Sequence, residues 1–111
     1  MEIDKRKEKD ALVISVKGRL DAVTSPVLEK DLTELMAGGE KFLVVDLGDL
    51  DYISSAGLRT ILASTKKLKE KQGKLLLASL KSVVKEVFEI SGFSSIIPIY
   101  ESVDSALSHL G

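Results

Sequence analysis

Cysteine is absent from the 111 residues. That excludes disulfides, thiolate metal sites and thiol nucleophiles together. Histidine occurs once, at His109, which excludes a multi-histidine metal cluster. It also leaves a single imidazole base close to the C-terminal end, where a helix frays, so no Ser-His-Asp set is available. His109 reads instead as an exposed histidine near the negative end of a helix. A phosphate-cradling glycine loop and a dinucleotide fingerprint are both missing. No sign of charge dominates: 16 basic against 17 acidic residues give a net charge of −1. The chain therefore lacks the broad basic field of a direct nucleic-acid binder. No apolar run is long enough for a membrane span, and the charged N-terminal stretch has no signal-peptide core. The expectation is a cytoplasmic globular domain spanning 1–111, not an enzyme, with no cofactor, no metal and no membrane contact. At 44% hydrophobic, a chain of this length can bury a core without a staple.

What is present is a regular alternation of patterns. Met1 to Asp10 is mostly charged and reads as either an edge strand or a frayed tail. Ala11 to Lys17 alternates, with Leu12, Ile14 and Val16 on one strand face and Val13, Ser15 and Lys17 on a wetter one. Gly18 ends that strand, and Gly18-Arg19-Leu20-Asp21 leads into a loop. Ser25-Pro26 starts a helix, the serine as N-cap and the proline where no N–H is needed. Leu28, Leu32, Leu35 and Met36 recur at helical spacing until Gly38-Gly39 stops them. Phe42 to Leu47 carries four consecutive apolar residues, the mark of a strand covered on both faces. Gly48 to Ile53 joins it to a second helix with Leu58, Ile61, Leu62, Thr65 and Leu68 along one stripe. Lys66, Lys67, Lys69 and Lys71 fall mainly outside that stripe and read as a solvated face. Leu75 to Ala78 is a further strand, and a third helix runs from Lys81 to Ile90. Ile96 to Tyr100 is the last strand, placed at an edge because Pro98 cannot donate to a ladder. Ser102 caps a final short helix. Strand and helix alternate throughout, which predicts an α/β fold with a largely parallel sheet.

The unusual segment is Ser54-Ser55-Ala56-Gly57, at a strand-to-helix junction. Two hydroxyls stand where the first helical N–H groups lack partners. Gly57 falls inside the first turn, where glycine costs roughly 1 kcal/mol relative to alanine. One reading makes a serine the N-cap and lets Gly57 relieve crowding. The other offers an exposed serine to a kinase, at a helix end that tolerates added negative charge.

Leu50-Asp51-Tyr52-Ile53-Ser54-Ser55-Ala56-Gly57-Leu58 resembles the signature of the STAS family, the sulphate transporter and anti-sigma factor antagonist domains. Gly18-Arg19-Leu20-Asp21 is similar to that family's early Gly-x-Leu-Asp segment, and Phe42 to Leu47 to its central strand. Val84 to Phe93 is similar to its late helix and following turn. Four pieces in order cover essentially the whole chain. The resemblance implies a STAS fold with a four- to five-stranded, mostly parallel sheet and about four helices, mainly on one face. A stand-alone domain of this length resembles the bacterial anti-sigma factor antagonists. The resemblance then implies a partner switch. The unphosphorylated antagonist binds a serine-kinase anti-sigma factor, phosphorylation of one serine ends binding, and a serine phosphatase resets it. Anchored on Gly57-Leu58, the family pattern Asp-Ser-x-Gly-Leu puts the acceptor at Ser55, and Ser54 replaces the usual aspartate as a second possible acceptor. Asp21 matches the family aspartate near the phosphoserine, or is a turn aspartate satisfying loop N–H groups. Asp21, Ser54, Ser55, Ala56, Gly57, Leu58 and Arg59 form the expected partner face. The alternative is a non-phosphorylated STAS scaffold, or a lipid-transport accessory subunit, that binds a partner constitutively. Nucleotide binding near Asp21 and Ser55 is a weaker third idea, since no loop cradles phosphates.

Overall fold

One strand touches three others and thereby fixes the position of everything else. The computed structural model, which describes residues 1–110, leaves Gly111 of the expected 1–111 domain outside the described residues. Strand β1 (Glu2–Glu8) pairs antiparallel with β2 (Ala11–Leu20), so the charged N-terminal stretch is an edge strand. The first half of β2 then pairs in parallel with β3 (Phe42–Asp46), from Leu12↔Leu43 to Ser15↔Asp46. Its second half pairs in parallel with β4 (Leu50–Ile53), where Arg19 meets Tyr52 and Leu20 meets Ile53. Beyond β3 the sheet continues through β5 (Lys74–Ala78) to the two-residue edge strand β6 (Ile99–Tyr100). Among the described residues the sheet thus has six strands, more than expected.

The additional strand comes from two departures with one cause. Gly18 does not end β2; its φ of +97° lets the strand shift register between Gly18 and Arg19 and run on to Leu20. A glycine inside a strand commonly marks such a bulge. The extended end of β2 gives Leu50 to Ile53 something to pair with, so the expected connector holds β4. At the other end of the chain the expected strand shrinks. Phe93–Ser95 forms a 3₁₀ turn, and only Ile99–Tyr100 pairs. Pro98 still contributes, because its carbonyl accepts from the Leu77 N–H at 2.9 Å.

Helices α1 (Ser25–Ala37), α2 (Ser55–Glu70) and α3 (Ser82–Ile90) cover one face. Leu28 and Leu32 of α1, Ile61 and Leu68 of α2, and Val84 and Phe88 of α3 pack there with Leu12, Ile14 and Val16 of β2. Helix α4 (Val103–Ser108) covers part of the other face, where Ala106 meets Val13, Val44, Leu76 and Ala78. Val13 is therefore buried, not on a wetter side. Ser25 is the first residue of α1, and Thr24 takes the N-cap place without a side-chain cap bond. The Ser25 hydroxyl instead donates back to the Asp21 carbonyl. Ser102 does cap α4, accepting from the Ser105 N–H at 3.0 Å.

Candidate functional site

The parallel β2–β4 pair ends level, and each strand delivers one half of the site. The Ser54 N–H donates to the Leu20 carbonyl at 2.9 Å, so the residue after β4 lies against the last residue of β2. The Asp21 turn therefore begins beside the start of α2.

Ser54 is the N-cap of α2. Its backbone is extended, and its side-chain oxygen accepts from the Gly57 N–H at 3.3 Å. Ser55 opens the helix and is exposed. The two hydroxyls thus differ in employment: one holds the helix end, and the other faces solvent. Gly57 is buried against both strands. A Cβ there would lie 2.9 Å from Cγ of Leu20 and 2.9 Å from Cγ1 of Ile53. Glycine is required by close approach of helix to sheet, and its conformational freedom is not the issue. Leu58 is buried in the same core. Gly57 and Leu58 accordingly seat the helix, while Ser55 and Arg59 are exposed and Ser54 and Ala56 half-buried.

Asp21 organises the other half. Its Oδ1 accepts from the backbone N–H groups of Val23 and Thr24, each at 3.0 Å, and from the Thr24 hydroxyl. The Thr24 N–H bond, the largest influence, holds the carboxyl below its ordinary 3.8. Partial burial opposes this, while the Val23 N–H, the Thr24 hydroxyl and the Arg19 charge assist. Asp21 is a turn aspartate in this geometry, and its second oxygen, Oδ2, lies 3.9 Å from Arg19 Nε.

The comparisons bear on this geometry. A family model described as the STAS domain matches residues 2–106. The chain belongs to the STAS domain family. BtrV of Bordetella bronchiseptica is 46% identical over 95 residues, which cover 86% of this STAS domain and 82% of that protein. The anti-sigma-B factor antagonist of Listeria monocytogenes is 33% identical, over 86% of this domain and 83% of its own length. Among solved structures, an anti-sigma factor antagonist from Mycobacterium paratuberculosis superposes with a TM-score of 0.90 at 26% identity, covering 97% and 92% of the two chains. SpoIIAA, solved in unphosphorylated and phosphorylated forms, shares the fold at 17% and 16% identity, with TM-scores of 0.85 and 0.78.

Other features of this STAS domain surface were invisible in the sequence. The Arg19 guanidinium stacks 4.3 Å from the centre of the Tyr52 ring, a consequence of the Arg19↔Tyr52 register. Recognising β4 as a strand was the missing signal. Val23 and Val27 stand 82% and 54% exposed on the segment after Asp21. Between α1 and α2 runs a groove of about 350 Å³ whose lining includes Glu29, Ala56, Arg59, Thr60 and Ala63. Among the described residues, no cluster of His, Asp or Glu could hold a metal ion, and no helix is long and apolar enough to cross a membrane.

Proposed function

We propose that this STAS domain is a cytoplasmic anti-sigma factor antagonist, and that phosphorylation of Ser55 ends its grip on a serine-kinase anti-sigma factor. The observation that carries the reading is the division of labour between adjacent serines. Ser54 is engaged with the Gly57 N–H, and Ser55 presents its hydroxyl at the exposed first position of α2. The names of the relatives support the antagonist role, and the phosphorylated form of SpoIIAA supports a phosphate on this fold. In the transfer, the Ser55 oxygen bonds to the γ-phosphorus of ATP held by the kinase. The hydroxyl proton is lost and ADP leaves. A serine phosphatase returns the hydroxyl by hydrolysis, so this chain is substrate in both steps and catalyst in neither.

Simple electrostatics is sufficient for release. A phosphoserine brings about −1.5 to −2 charges at neutral pH. At a helix N-terminus that charge is favourable within its own chain by roughly 0.3–1 kcal/mol, so the domain stays folded. Against a docked partner, an unpaired buried charge costs about 2–5 kcal/mol. At about 1.4 kcal/mol per decade, that weakens binding roughly 30-fold to several-thousand-fold.

The test is mass spectrometry of the tryptic peptide spanning Phe42 to Arg59, from protein isolated from its host, with and without phosphatase. A phosphate on Ser55 is expected; a phosphate on Ser54 moves the acceptor by one position. No phosphate under any condition, with a stable partner recovered alongside, replaces the switch with a constitutive scaffold. In the same system Ser55→Asp is expected to abolish partner binding while changing stability by no more than about 0.5 kcal/mol.

A further inference from the structure

Arg59 follows Ser55 by four positions on α2, and residues at that spacing stand one above the other on a single helix face. Its side chain is exposed, lines the groove between α1 and α2, and among the described residues makes no ion pair. Two basic groups held against β4 are, by contrast, occupied. Arg19 is stacked on Tyr52 and lies beside Asp21, and Lys81 is paired with Asp51. The first turn of α2 carries no acidic residue. Glu29 of α1 is the acidic residue that lines the same groove.

We propose that Arg59 is the internal partner of the phosphate on Ser55, turning along its own helix to form a charge-assisted contact with the phosphate oxygens. The inference rests on Ser55 being the acceptor. An anionic group placed N-terminal to a cation at i, i+4 is the favoured order of such a pair, and a guanidinium offers paired donors to a phosphate. The consequence reaches the groove. When Arg59 turns to the phosphate, the groove loses its cation and keeps Glu29. Phosphorylation then changes the partner face twice, by the charge that arrives and by the one withdrawn.

The experiment uses the full chain with phosphoserine installed at position 55 during synthesis, so no kinase is needed. Phosphorus NMR follows the second ionisation of the phosphate across pH 4 to 8 in the parent, Arg59→Gln and Arg59→Lys. Arg19, Asp21, Glu29, Asp51, Lys81 and Lys85 are the same in all three proteins, so the difference between midpoints reads Arg59 alone. The parent midpoint is expected about half a pH unit below that of Arg59→Gln, with Arg59→Lys recovering part of the difference. In the parent, the Arg59 Nε resonance is expected to move with the same midpoint, a readout that needs no variant. Equal midpoints in the parent and Arg59→Gln overturn the proposal. So does a static Arg59 resonance, or a shift that follows Arg19→Gln instead. Either failure leaves the partner switch standing, because binding is not measured. Absence of phosphate from the cellular protein leaves the Arg59 contact standing, because the phosphate is supplied.

Discussion

Ser54 and Ser55 show how one position decides what a hydroxyl does. At the N-cap the oxygen accepts from a helix N–H, and one residue later it has left that geometry. Ser54→Ala is expected to lower stability by about 1 kcal/mol, read as a drop in urea midpoint at unchanged slope. An unchanged midpoint would show that the 3.3 Å contact carries no weight. Asp21 supplies a pH signature. Its carboxyl is held below 3.8 in the folded chain. A depressed folded value means that the ionised group stabilises the fold above the unfolded value, and that this is lost as the pH falls through the folded one. Asp21→Asn keeps the shape of the acceptor and removes the charge. The melting-temperature gap between parent and variant should be open at pH 7 and close below pH 3.8. A gap that stays constant with pH would assign the stabilisation to shape alone. The sequence offered both roles for Asp21; its three accepted bonds make the turn role concrete.

At the scale of elements, the approach of α2 to β2 and β4 is set by the missing Cβ of Gly57. Alanine is the better helix former by about 1 kcal/mol. Here its methyl group would press on two buried side chains at 2.9 Å. Gly57→Ala is expected to lose about 1–3 kcal/mol through overpacking, measured by chemical denaturation. A gain in stability would mean that Leu20 and Ile53 move aside freely. The glycine's anomaly was legible from helix propensity, but the strand it touches was not. Leu50 to Ile53 is too short for alternation to register, and its pairing depends on a bulge at Gly18. The Ser25 assignment slipped by one residue for a related reason: a serine before proline looks like a cap whether or not its side chain points back to the Asp21 carbonyl.

The whole molecule has two cores of unequal size. Three helices bury one face of the sheet, and α4 buries a patch of the other. The alternation of α/β elements and the doubly covered β3 were plain in the sequence. The side on which Val13 lies was not, because the covering helix is contributed from the far end of the chain. Val13 is 1% exposed. Val13→Ser is expected to cost about 2–4 kcal/mol, where a solvent-facing position would change by about 0.5 kcal/mol or less. A small effect would mean that α4 detaches readily from the sheet.

Parallel strands need a long crossover, so the halves of the site carried by β2 and β4 are brought together only by the finished fold. A linear peptide covering Leu50 to Arg59 contains both serines but lacks the Leu20 carbonyl that holds Ser54 and the Asp21 turn beside it. Such a peptide is a poor competitor or immunogen for this surface. Reagents that imitate or detect it must be raised against the folded chain.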